Sequence, residues 1–199
     1  MNLVDRVKRL LLQPKEEWQV IDKESLDVAD FYKFYIAPLA AIGPLCSVIG
    51  MSVVGTSLAG MGTFRVSFGS ALVQSVLIYG FMLGGVYVIA LIIDALAPTF
   101  GAQRSKSQAL KLAAYASTAS WLGGIFSLFP VLGGLNLLAA LYSLYLLYLG
   151  LPILMRVPED RTIGYMAVVV LSAIALFIMV GAVIPMPTPI LPNGVTIGQ

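Results

Sequence analysis

Histidine is absent from all 199 residues, and cysteine occurs once, as Cys46. Without histidine the commonest metal ligand and general base are gone, and no Ser-His-Asp triad can be built. A single cysteine excludes an intrachain disulfide and leaves the redox compartment unread. Charge is scarce as well: Asp, Glu, Lys and Arg make up 11% of the chain, against roughly 25% in an average soluble domain. The formal charge is only +2 and its cations lie in loops rather than in one stripe, so no nucleic-acid partner is expected. Neither a metal-ligand cluster nor a phosphate-binding glycine loop appears. The sequence therefore predicts no catalytic, cofactor or metal site, and no enzyme.

What the chain has in quantity is apolar length. Hydrophobic residues make up 59% of it, gathered in five stretches at 33–60, 69–97, 108–129, 131–155 and 163–184. A bilayer core needs roughly 20 apolar helical residues, and each stretch reaches that. In hydrocarbon the backbone must satisfy its own hydrogen bonds, so such runs are helices. The expected fold is an all-α integral membrane protein, a five-transmembrane-helix bundle over residues 33–184. Residues 1–32 form a cytoplasmic N-terminal segment, and 185–199, with Pro185, Pro187, Pro189 and Pro192, form a Pro-rich extracytoplasmic tail. Orientation follows from the cations. All but Arg65 lie before or at the first residue of the first stretch, in or beside the second break, or in the break at 156–161, which puts the N-terminus in the cytoplasm and the C-terminus outside.

The N-terminus is no signal peptide, because Leu10, Leu11 and Leu12 are its only consecutive apolar run before Gln13 and Pro14. Leu3, Val4, Val7, Leu10 and Leu11 instead share one helical face, opposite Asp5, Lys8 and Arg9, with Leu12 as an exception. This pattern predicts an amphipathic interfacial helix anchored in membrane lipid by Leu3, Val7, Leu10 and Leu11, ended by Pro14 and followed by Trp18 at the interface. The alternative is a helix packed on the bundle or on another copy. The acid-rich run at 15–30 reads as a solvated connector.

Small residues mark helix contacts in a membrane. Gly80 and Gly84 form a candidate packing or dimer face, and Ala113, Ser117, Ser120 and Gly124 line another. Gly43 with Ser47, and Gly55 with Ala59, mark the first stretch. Pro38, Pro44 and Pro152 predict kinks. Polar residues within the stretches are few. Asp94 is the only acid, placed to reach water or to pair with Arg104 or Lys106. With Asn136, Tyr142, Tyr145 and Tyr148 it forms a candidate polar groove, although aligned tyrosines suit a packed interior equally well.

The ordered set Arg6-Val7-Lys8-Arg9-Leu10-Leu11-Leu12-Gln13-Pro14-Lys15-Glu16-Glu17-Trp18, Tyr35-Ile36-Ala37-Pro38-Leu39, Leu147-Tyr148-Leu149-Gly150-Leu151-Pro152 and Met155-Arg156-Val157-Pro158-Glu159-Asp160-Arg161 resembles the bacterial branch of the Yip (Ypt-interacting protein, YIPF) multi-pass membrane family. The resemblance implies five spans, a cytoplasmic N-terminus, a bacterial inner-membrane location and association with a second copy or another membrane protein. Eukaryotic relatives are associated with vesicle traffic and Rab/Ypt-type small GTPases. Their Asp-Leu-Tyr-Gly-Pro element is reduced here to Asp30-Phe31-Tyr32 and the later Pro38, and their long N-terminal region to residues 1–32. No small GTPase partner is expected for a bacterial member. The function expected is a non-enzymatic membrane scaffold or adaptor, with a contact surface made of residues 3–18 and the 156–161 loop. The competing expectation is a small transporter, channel or lipid-moving protein with a groove between spans two to four.

Overall fold

Capping residues decide where each helix starts in the computed structural model, which describes residues 2–58, 62–184 and 189–190. Asn2 accepts from the Val4 amide at 3.1 Å and opens α1, Leu3–Leu12. Pro14 then takes the first position of α2, Pro14–Lys23, where its missing N–H costs nothing. Asp27 accepts from the Asp30 amide at 2.9 Å and opens α3, Val28–Val54. The first apolar helix thus begins before the expected residue 33. It also ends earlier than residue 60, because Gly55 turns the chain at φ +77°. Helical structure continues through Pro38 and Pro44, with wider π turns at Tyr32–Ile36 and Gly50–Val54.

After Gly55 the chain makes a hairpin rather than more helix. Strand β1, Thr56–Leu58, pairs antiparallel with β2, Gly62–Val66, and Thr56 stands opposite Phe64. The described part of the proline-rich tail, β3 at Pro189–Ile190, adds to β2 with Ile190 opposite Arg65. Ser67 caps α4, Phe68–Leu96, which runs on as a 3-10 turn at Ala97–Phe100 and is closed by Gly101 at φ +68°. Ser105 caps α5, Lys106–Gly123. A 3-10 turn, Gly124–Leu128, leads toward α6, Leu135–Leu154, and Glu159 and Asp160 open α7, Glu159–Val183, where acids suit the helix dipole.

Four of these helices are long and apolar enough to cross a membrane: α3, α4 with its extension to Phe100, α6 and α7. The chain is an all-α membrane protein, with a small sheet at one end of the bundle. The expected third span, 108–129, stands apart. Lys106, Lys111 and several hydroxyl side chains dilute the hydropathy of α5, and its α-helix stops at Gly123. Its place is the centre, where 12 of its 18 residues are buried. The outermost helix is the opposite case: Phe177, Leu171 and Val183 on α7 are 77%, 64% and 70% exposed, an arrangement suited to lipid rather than water.

Close backbone contact holds the centre together. A Cβ on Gly124 would come within 2.5 Å of the Gly43 Cα, so α3 and the end of α5 touch main chain to main chain. Gly123 abuts Ala139 of α6, and Gly50 abuts the Ser127 carbonyl. Ser120 donates to the Ser143 hydroxyl at 2.8 Å. The Ser120 and Gly124 face of α5 is thus used within one bundle. Gly55 lies outside any helix, and Ala59 lies outside the described residues.

Candidate functional site

The N-terminal helices fold back on the bundle. Trp18 is completely buried, its ring edge-on to Tyr115 at 6.2 Å. It covers Gly150 of α6 so closely that a Cβ there would lie 2.9 Å from the indole and 2.6 Å from Leu112 Cδ1. Further along, the Tyr142 hydroxyl donates to the Leu11 carbonyl at 2.6 Å. Leu10 is also fully buried, and Leu3, Val7 and Leu11 pack partly buried on the same core. The apolar face of α1, expected against lipid headgroups, therefore covers protein. Leu12, the exception in the periodicity, is 79% exposed.

The run at 15–30 is not a solvated connector either. Its first half is helical, and Glu17 is buried. Arg6 Nη1 donates to Glu17 Oε1 at 2.6 Å, Nη2 reaches Glu24, and Arg9 Nε donates to Glu17 Oε2 at 3.1 Å. Burial opposes the Arg6 cation, but the hydrogen bond to Glu24 and the nearby acids outweigh it and hold its pKa above the ordinary value. Its guanidinium lies 5.7 Å from the centre of the Tyr115 ring. Lys111, also buried, donates to the carbonyls of Ile21 at 2.9 Å and Glu24 at 2.5 Å. Gln108 Nε2 donates to Asp22 Oδ1 at 2.9 Å, and Arg156 Nη2 to Asp22 Oδ2 at 2.6 Å. Polar groups from α1, α2, α5 and the 156–161 loop are thereby tied into one network.

Beside this network, α1, residues 24–26, the start of α3 and α5 border an open cleft of about 610 Å³. Arg6, Glu24, Asp30, Phe34 and Lys111 are among its walls. Among the described residues, no group of three or more His, Cys, Asp or Glu could hold a metal ion.

The residues of the expected polar groove are scattered. Asp94 is buried and receives the Arg104 Nη2 hydrogen bond at 2.9 Å, next to where Tyr165 of α7 donates to the Ile93 carbonyl. Asn136 sits in the first turn of α6, near Gly123. Tyr142 is bound to α1 and its ring meets that of Tyr145 at 5.6 Å, while Tyr145 and Tyr148 are 43% and 42% exposed. Only this tyrosine pair is brought together, and none of the five lines the cleft. Gly80 and Gly84 are exposed, with open space where a Cβ would stand.

Sequence reasoning missed Arg6, Glu17, Glu24 and Lys111 as a unit. One signal was available: a lysine at position 111, inside an expected span, must find acceptors, and the 15–30 run is the richest source of them.

The Yip1 domain family matches residues 8–182 of the chain. The chain is similar to the protein named Inner membrane protein YohC in Escherichia coli strains K12 and CFT073, at 28% identity over 159 residues in each case. That alignment covers 78% of this chain and 82% of the relative. No solved structure matches.

Proposed function

Because the chain belongs to the Yip1 domain family, we propose that it is a non-enzymatic scaffold or adaptor of the bacterial inner membrane. The observation that carries this reading is the polar attachment of α1 to α2 through Arg6 and of α2 to the bundle through Lys111 and Arg156. A helix pair held by Arg6, Lys111 and Arg156 offers a partner a surface already ordered, so binding avoids much of the entropy of arranging it. Val4, Leu12 and Val20 remain 54%, 79% and 46% exposed on that surface. The partner is a second copy or another membrane protein, not a small GTPase.

The same reading takes α5 as a fifth span. It runs antiparallel to α6 from the Leu112–Gly150 contact through Ser120–Ser143 to Gly123–Ala139, so it follows α6 over most of its length. The N-terminus is then cytoplasmic and the C-terminus outside. The inner-membrane assignment draws on the name of the Escherichia coli relatives.

Photo-crosslinkers at Leu12 and Val20 in native membranes test the scaffold. Discrete protein adducts are expected at both. Adducts to lipid alone, with a monomeric chain, would remove the proposal. The exposed Gly80 and Gly84 face is the proposed self-contact. Replacing both by leucine should lower energy transfer between labelled copies at least fivefold while membrane insertion is unchanged. Unchanged transfer would exclude this face.

A further inference from the structure

We propose that the cleft between α1, α3 and α5 binds the phosphoethanolamine headgroup of a membrane phospholipid. Two buried cations line it beside Glu24, which already takes Arg6 Nη2. Arg6 and Lys111 are each only 3% exposed, Arg6 Nε has no hydrogen-bond partner, and carbonyls take two of the three donors of the Lys111 ammonium. Buried donors left over in this way fit the phosphate oxygens of a ligand. The lip carries the opposite charge. Asp27 and Asp30 are exposed on the first turn of α3, and both line the cleft. Phe34, one turn further into the bundle, lines it too and is 61% exposed. From the N-terminal end of α3 inward the order is therefore acid, then apolar ring, with the cations facing them. A phospholipid lying along this wall sets its ammonium on Asp27 and Asp30, its phosphate on Arg6 and Lys111, and its acyl chains beside Phe34.

The depth of the cleft selects a lipid over a soluble molecule. The hydroxyl of Tyr32, on the α3 turn that follows Asp30, donates to the Leu83 carbonyl at 3.1 Å. From Leu83 to Asp94, α4 continues for roughly 16 Å at about 1.5 Å per residue. Along that length Tyr87, Val88 and Leu91 are 47%, 40% and 38% exposed. This apolar surface suits hydrocarbon, so the cleft lies at the boundary of the leaflet that holds α1 and α2, its acids toward water and Phe34 toward the acyl chains. A headgroup is the polar ligand available at that boundary.

The test uses the full chain, delipidated in detergent and offered equal phosphatidylethanolamine and phosphatidylglycerol, with retained lipid read by native mass spectrometry. At least fivefold preference for phosphatidylethanolamine is expected. The D27N/D30N variant should bring that preference within twofold, and because Asn also caps helices, α3 should stay folded. A wild-type preference below twofold, or an unchanged preference in the variant, would overturn the assignment. Glycerophosphoethanolamine, the soluble form of the same group, should leave the lipid-free melting temperature unmoved. A rise would reassign the cleft to a soluble ligand. The proposal goes beyond the scaffold reading and fails separately from it, since partner crosslinks at Leu12 and Val20 do not depend on lipid preference.

Discussion

Replacing Arg6 by alanine should destabilise the protein by about 3–5 kcal/mol, because it takes from the buried Glu17 carboxylate its closer, buried cation and leaves only the half-exposed Arg9. The side chains of Arg6 and Glu17 are both only 4% exposed, so water cannot take over the lost partner. The expected readouts are a large drop in melting temperature in detergent and new trypsin cleavage at Lys15 and Lys23, as α2 comes away from Lys111. The control is Arg161→Ala. Its pair with Asp160 spans 3.8 Å with side chains 55% and 76% exposed, and exposed pairs contribute about 0–1 kcal/mol. Arg6→Met combined with Glu17→Met should recover much of the loss, since similar-sized apolar groups often replace a buried pair at little cost. Equal effects of Arg6→Ala and Arg161→Ala would mean that the network does not hold α2.

Gly150→Leu should destabilise by about 1–3 kcal/mol, the usual range for overpacking a core. The first added atom would meet both the Trp18 indole and Leu112, and α5 fixes Leu112 from behind. Trp18 is the group that can leave, so the variant should release α2 while the remaining helices stay inserted. The same substitution at Gly181 on α7 meets nothing within 4 Å and should stay within about 0.5 kcal/mol of wild type. Differential scanning of the two variants side by side separates a packing effect from a general intolerance of leucine.

The apolar helices were legible because hydropathy over twenty residues is a long, redundant signal. Their ends were less so. Asp27 and Gly55 set the limits of α3 by a cap and a left-handed turn, and a hydropathy run does not register either. The role of α5 was legible only in part, since Lys111 and the hydroxyl residues announced a helix unlike its neighbours but not that it lies at the centre. Amphipathicity predicted α1 correctly as a helix and could not say what its apolar face covers. Lipid and a protein groove demand the same stripe of Leu3, Val7, Leu10 and Leu11. The buried network was hidden for a similar reason. Glu17 and Glu24 lie in a charged run that resembles a solvated one, and only the turn between α1 and α2 and the packing of α2 on the bundle bring them to Arg6 and Lys111. The groove reading joined Asp94 to Asn136 and the tyrosines by polarity alone, whereas helix rotation puts Asp94 beside Arg104 and Tyr142 beside Leu11.

Helices α1 and α2 are a fixed part of the bundle, and Trp18 reports on that directly. With Trp121 replaced by phenylalanine, Trp18 is the only tryptophan left. The decisive measurement is its fluorescence in nanodiscs whose phospholipids carry bromine along the acyl chains. Covered by Gly150, Leu112 and Tyr115, Trp18 should keep its full emission, and Gly150→Leu should make it quenchable. Strong quenching in the parent chain would place Trp18 among lipids and contradict the account.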